Sequence, residues 1–179
     1  MILNFWFIFT VINIFLTISI EACLLYIQWK YNSLTRHFGK SAFKFHSFIT
    51  ETLWIFMSVG IIMSTIQDYP KLHNLLILKI LGWMITGLGL IIAVLGFKEL
   101  GLEKSLGKNF FEEKTKIVKS GIYQYISEPE EYGFWLMMVG FALGTASIYN
   151  LVYAIELIIL MIPHQKIENL PLNKKKNSK

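Results

Sequence analysis

The chain has 179 residues, of which 54 % are hydrophobic and only 16 % charged, with a formal net charge of +5. A soluble domain carries about 25 % charged residues, so composition excludes a disordered chain, a disulfide-stapled secreted module and a water-soluble nucleic-acid binder. The length suits one compact unit, which leaves a small integral membrane protein, and 5 Trp, 8 Tyr and 14 Phe suit a bilayer-embedded body with interfacial aromatics.

A bilayer core of about 30 Å takes about 20 apolar residues of helix. Met1 to Ile20 carries no charge and predicts a first span over about 2–26. Without a basic leader or a small-residue cleavage site it does not read as a removable signal peptide. Cys23 falls in this run and reads as a buried structural thiol; with no second cysteine, redox chemistry is not expected. Gln28 to Phe45 is polar and basic, with Lys30, Arg36, Lys40 and Lys44. A second span is predicted over about 46–66 and contains Glu51. A short turn, Gln67 to His73, holds Asp68 and Pro70. The third span, about 74–97, carries Lys79 near its start. Its Gly82, Gly87, Gly89 and Gly96 include a small-residue face open to close helix approach.

Lys98 to Glu131 is the longest polar region. From Tyr132 to Ile162 the chain is again apolar apart from Glu156. As one helix this run would extend about 46 Å at 1.5 Å per residue, too long for one crossing. Gly144-Thr145-Ala146-Ser147-Ile148-Tyr149-Asn150 reads as a break, predicting a helical hairpin with spans at about 132–146 and 148–163 and a basic tail over 164–179. The whole chain, 1–179, then reads as one all-α membrane domain of five spans.

Charge orients it. Cytoplasmic loops accumulate Lys and Arg. With five spans, fifteen of the seventeen positive charges fall on one side, whereas four spans would set the tail charges against the rest. The N-terminus is therefore expected outside and the tail in the cytoplasm. The pI of about 9.2 follows from this topology together with attraction to anionic headgroups, and requires no nucleic-acid partner. The membrane itself, plasma membrane or endoplasmic reticulum, depends on the organism.

Soluble-enzyme motifs are missing: there is no glycine-rich phosphate loop, no cysteine pair and no His-x-x-x-His. His37, His46, His73 and His164 lie at span edges and read as interfacial side chains, so no metal site is expected. Ionisable residues inside spans call for explanation. Glu51 and Lys79 read as snorkelling to the headgroups. Glu156 reads as lining a cavity or accepting hydrogen bonds from a neighbouring helix, and Glu21 is a weaker fourth case.

Lys116 to Gly133 (KIVKSGIYQYISEPEEYG) is the most informative segment. Gly121 breaks a helix, Tyr123 and Tyr125 alternate as in a short extended stretch, and Pro129 biases Glu128 away from helix. Aromatic faces beside Glu128, Glu130 and Glu131 suit a cationic or adenine-bearing ligand, since an aromatic ring attracts a sulfonium through cation–π contact. The same residues also suit an interfacial aromatic belt with acidic residues at a helix N-terminus.

The run G-I-Y-Q-Y-I-S-E-P-E-E-Y-G, Gly121 to Gly133, resembles the G-x-Y-x-Y-x-R-H-P-x-Y-x-G signature of small integral membrane methyltransferases, the isoprenylcysteine carboxyl methyltransferases and phospholipid N-methyltransferases. L-G-F-K-E-L-G (Leu95 to Gly101), I-V-K-S-G (Ile117 to Gly121) and I-E-N-L (Ile167 to Leu170) are similar to other parts of that family. The resemblance covers about 80–170. It implies S-adenosylmethionine bound from the cytosol, and a lipid or lipidated acceptor (an isoprenylcysteine carboxylate or a phospholipid amine) arriving from the bilayer. It also implies a cofactor-binding region over 98–131. Gly121, Tyr123, Tyr125, Glu128, Pro129, Tyr132 and Gly133 would line the site, with Glu168 closing it and Glu128 as the candidate catalytic residue. Ser127-Glu128 replaces the family's Arg-His, and Glu168-Asn169 its Glu-Glu. Y-I-S-E-P also resembles the Y-V-S-x-P of steroid 5-alpha-reductase-like enzymes, which would imply NADPH and reduction. A non-catalytic relative retaining only the fold is the third reading.

Overall fold

The computed structural model describes residues 4–67, 71–111, 118–168 and 170. It is all-helical, and among the described residues the only strand-like pairing is a single bridge between Lys71 and Ser147. Among the described residues, seven α-helices follow in order: α1 Phe5–Tyr31, α2 Ser33–Phe38, α3 Ala42–Ile66, α4 Leu76–Leu100, α5 Leu102–Ser105, α6 Pro129–Thr145 and α7 Ile148–Glu168. Short 3-10 turns occupy Gly39–Ser41, Lys108–Phe110 and Gly121–Gln124. Four of the helical stretches, 5–31, 33–66, 76–100 and 148–168, are long and apolar enough to cross a membrane. With this composition the protein is an integral membrane protein.

Local chemistry explains the helix ends. Asn4 caps α1 by accepting from the Trp6 amide at 2.8 Å. Asn32, at φ 53°, closes α1 by donating its amide to the Gln28 carbonyl, a left-handed conformation that asparagine tolerates. Pro129 sits at the first position of α6, where its missing N–H costs no helical bond. The predicted break in the last apolar run is a two-residue turn. Ala146, at φ 52°, ends α6, and Ser147 Oγ accepts from the Asn150 amide at 3.3 Å as α7 begins. Asn150 locks the turn by donating to Thr145 Oγ1 at 3.0 Å and to Thr65 Oγ1 at 3.1 Å. α7 runs on through Pro163 to Glu168, beyond the expected end.

The long helices alternate in direction. Asn4 at the start of α1 donates to Gln67 just past the end of α3, and Leu72 ahead of α4 donates to Ala146 between α6 and α7. These residues mark one end of the bundle. Lys30, Arg36, Lys40, Lys44, Lys98, Lys104 and Lys108 belong to the helix ends and turns at the other.

The inward face of α1 recurs every three or four residues: Thr10, Ile14, Thr17, Ile18, Glu21, Leu25 and Gln28. Cys23 falls off this stripe and is exposed. The buried-thiol expectation is corrected by helical phase alone. α1, α3 and α7 enclose an apolar core of Ile14, Ile18, Met57, Ile61, Tyr153, Leu157 and Met161, to which α6 adds Met138. Phe7 stacks on Tyr149 with ring centroids 4.2 Å apart.

α4 packs chiefly on α6, backbone against backbone. A Cβ at Gly82 would lie 2.3 Å from the Gly144 amide nitrogen, one at Gly89 2.4 Å from that of Met137, and one at Gly140 2.4 Å from that of Thr86. The small-residue face therefore consists of Gly82, Gly89 and Gly96, seven residues apart. Gly87 points away, with nothing within 4 Å of its would-be Cβ.

Candidate functional site

The basic end of the bundle is where ionisable side chains turn inward. Gln28 clamps the loop structure there, donating to Asn32 Oδ1 at 2.8 Å and to Thr35 Oγ1 at 2.7 Å while accepting from the Thr35 amide at 3.1 Å. Around this frame lie two groups of side chains, an outer one between α4 and α6 and an inner one among α1, α6 and α7.

The outer group is built by the tyrosine motif. Gly121 has φ +56°, and a Cβ there would meet the Glu99 carboxyl at 2.6 Å, so both conformation and space require glycine. Ser120 Oγ donates to Glu99 Oε2 at 3.0 Å and ties the motif to the end of α4. Gly121–Gln124 then forms a 3-10 turn, not the extended stretch that the Tyr-x-Tyr alternation suggested; the positive φ at Gly121 starts a turn that alternation does not reveal. The turn separates the two tyrosines. Tyr123 is partly buried and its hydroxyl donates to Glu130 Oε2 at 2.5 Å. Burial, the bond to Glu130 and the nearby carboxylates raise the Tyr123 hydroxyl well above the ordinary tyrosine range, so it stays a donor. Tyr125 is 86 % exposed. Glu128 stands at the N-terminus of α6 with φ 114° and ψ 57°, a conformation that is strained for a residue with a Cβ.

Pro129 is buried against α4, where a Cβ on Gly96 would lie 3.1 Å from Pro129 Cγ and 2.7 Å from the Glu130 amide nitrogen. Tyr132 is 40 % exposed and packs edge-on to Trp135 at 5.3 Å. Gly133 is buried, with its would-be Cβ 2.4 Å from the Ala93 amide nitrogen, so its role in the structure is to let α4 and α6 touch.

The inner group is one that motif reading did not assemble. Successive residues on a helix diverge by about 100°; Glu130 therefore faces Tyr123 while Glu131 faces α7, where Gln165 Nε2 donates to its carboxylate. His164 lies between two further carboxylates, with Nε2 3.7 Å from Glu21 Oε2 and Nδ1 3.7 Å from Glu168 Oε2. Trp54 of α3 donates its indole N–H to Glu21 at 3.3 Å. Glu21, Glu131 and His164 are 5 %, 8 % and 4 % exposed. Glu128 is within electrostatic range of Glu131 and Glu168, which links the two groups.

His164 and His46 are thus buried and not interfacial as their span-edge positions suggested. A bundle packed through polar side chains at this end buries residues that hydropathy assigns to the boundary. Glu51 is exposed, and Glu156 is partly buried in α7, its Oε2 without a hydrogen-bond partner among the described residues. Asn169 and the Lys174-Lys175-Lys176 run lie outside the described residues. The signal for the inner group was present but scattered: an acid in the first apolar run, and His164 and Glu168 four residues apart.

Neither curated proteins nor solved structures give a match to this chain. The phospholipid methyltransferase family model matches residues 77–175, more than half of the chain. The matched segment takes in α4 from its second residue, α6, α7, the tyrosine motif and every acidic residue of both groups except Glu21. The chain belongs to the phospholipid methyltransferase family.

Proposed function

We propose that this protein transfers a methyl group from S-adenosylmethionine to a lipid or lipidated acceptor at the cytoplasmic membrane face. The observation that carries the reading is that the family match covers a tyrosine–carboxylate motif standing where the basic, solvent-reachable end of the bundle meets the lipid-facing helices. All five long helices cross the bilayer in this reading, with the N-terminus outside and the C-terminus cytoplasmic. Two features support it: the alternating helix directions, and the fifteen of seventeen positive charges that this topology gathers on one side. α6, with 17 residues, is about 26 Å long, close to the thickness of the hydrocarbon core.

The residues suit the cofactor. A sulfonium is a cation, attracted both by carboxylates and by aromatic faces. The motif offers Glu128, Tyr125 and Tyr132 with exposed or partly exposed surface. When bound, S-adenosylmethionine supplies an already activated methyl group. Tyr123 and Glu130, paired with each other, hold the 3-10 turn against α6 and fix the wall on which Tyr125 and Glu128 stand. Gly121 and Pro129 shape the backbone, Gly133 sets the α4–α6 separation, and Glu168 closes the cytoplasmic side. Glu128 is the candidate catalytic residue: its carboxylate steers the cationic centre and accepts the proton that an amine acceptor must lose. A carboxylate acceptor needs no base. Orientation of acceptor and donor and exclusion of water account for the acceleration.

A ligand panel tests the reading. Purified protein in lipid nanodiscs should be stabilised by S-adenosylmethionine and by its demethylated product, by about 2.7 kcal/mol at a hundredfold excess over Kd. Tyr125→Ala and Glu128→Ala should reduce the shift. Stabilisation by NADPH without a response to either adenosyl ligand would replace this reading with the reductase one. No response to any of the three would leave a relative that keeps only the fold.

A further inference from the structure

We propose that Glu131, His164 and Glu168 bind a divalent transition-metal ion at the basic end of the bundle, with Glu21 as the residue that positions His164. One ligand atom from each of the three lies within 4.8 Å of the others. The independent observation is His164. Its ring is 4 % exposed, neither ring nitrogen has a hydrogen-bond partner among the described residues, and both are directed at carboxylates. A buried imidazole with no bond at either nitrogen loses its hydration without replacement.

The arrangement is that of a metal ligand held by its neighbours. Ligating histidines commonly donate the second ring N–H to a carboxylate, which fixes tautomer and orientation. Here Nε2 faces Glu21, itself anchored by the Trp54 indole, and Nδ1 faces Glu168. Gln165 similarly holds one oxygen of Glu131. At metal–ligand distances of about 2.1 Å, tetrahedral ligand atoms stand about 3.4 Å apart; the His164–Glu168 separation is 3.7 Å. One imidazole and two carboxylates suit Zn²⁺ or Mn²⁺, whereas calcium sites are built from oxygen ligands.

Charge leads to the same conclusion. Glu21, Glu131 and Glu168 converge around His164, and among the described residues no lysine or arginine forms an ion pair with any of these three. An ion there would take the place of the proton in the side-chain hydrogen bond between Glu131 and Glu168. It also turns a patch that repels anions into one that attracts the carboxylate or phosphate of a ligand at the adjoining motif. The inference does not depend on the methyltransferase reading, because metal binding is measured without any adenosyl ligand.

The test uses the full chain in lipid nanodiscs, stripped with chelator, exposed to Zn²⁺ alone and passed through gel filtration before elemental analysis. Stoichiometric zinc and a raised Tm are expected. His164→Gln and Glu168→Gln should abolish retention, Glu21→Gln should weaken affinity about tenfold to a hundredfold, and Glu103→Gln should leave it unchanged. Because the His164 and Glu168 variants can lose the fold, Co²⁺ is added to the unmutated chain as a second readout. Visible d–d bands that Zn²⁺ displaces support the site. Their absence, substoichiometric zinc, or zinc retention indifferent to folded His164→Gln would overturn it.

Discussion

Glu128 is the residue where the local backbone and the proposed chemistry oppose each other. Its φ of 114° suits glycine, yet the position carries a carboxylate directly ahead of Pro129. Strain of this kind costs about 1–3 kcal/mol and persists where the surroundings over-determine it. Glu128→Gly is therefore expected to leave stability unchanged or raise it by about 1 kcal/mol, whereas Glu128→Ala keeps the strain. Both variants should weaken S-adenosylmethionine binding, because both remove the carboxylate. Equilibrium unfolding in mild detergent, paired with ligand-induced thermal shifts, separates the two effects; a clear loss of stability in Glu128→Gly would show that the side chain and not the backbone governs this turn. Pro129 made a non-helical Glu128 legible from sequence, since the residue before proline avoids the α region. The sign of φ was not legible, because it depends on how α6 docks on Gly96.

At the scale of elements, the contact between α4 and α6 sets the geometry of the motif. In lipid there is little hydrophobic drive between apolar helices, so backbone proximity and van der Waals packing hold them together. Gly89→Ala and Gly140→Ala each place a Cβ 2.4 Å from a backbone nitrogen of the opposite helix, and the helices must separate. A loss of about 1–3 kcal/mol is expected for each, with a weaker adenosyl-ligand shift because Pro129 and Glu130 move with α6. Gly87→Ala meets nothing within 4 Å and should leave both unchanged. Equal effects from Gly87→Ala and Gly89→Ala would remove the packing argument. Three of the four glycines singled out from sequence lie at this seam. Gly87 does not, since it stands two residues before Gly89 and so about 200° around the helix.

For the whole molecule, topology is the prediction. A reporter fused after Lys179 should be cytoplasmic, and one fused ahead of Asn4 outside. An external C-terminal reporter would mean that α6 and α7 do not both cross. The hairpin between them was readable because an apolar run of that length exceeds one crossing and contains Gly144, Ser147 and Asn150, residues that favour helix ends and turns. The neighbours of each helix were not readable. α1 is apolar on its lipid-facing side as well as its buried side, so hydrophobic contrast identifies its inward face only where a polar residue such as Glu21 or Gln28 stands.

By itself the sequence determined that the chain is membrane-embedded and helical, which end is basic, and where the tyrosine–carboxylate motif lies. Those properties follow from local composition, span length and the chemistry of proline and glycine. Only the tertiary structure decided that Glu21, Glu131, His164 and Glu168 meet. They come from three helices, and their convergence depends on the relative rotation and depth of each helix in the bundle. Those quantities are set by packing between segments distant in the chain, and no local pattern encodes them.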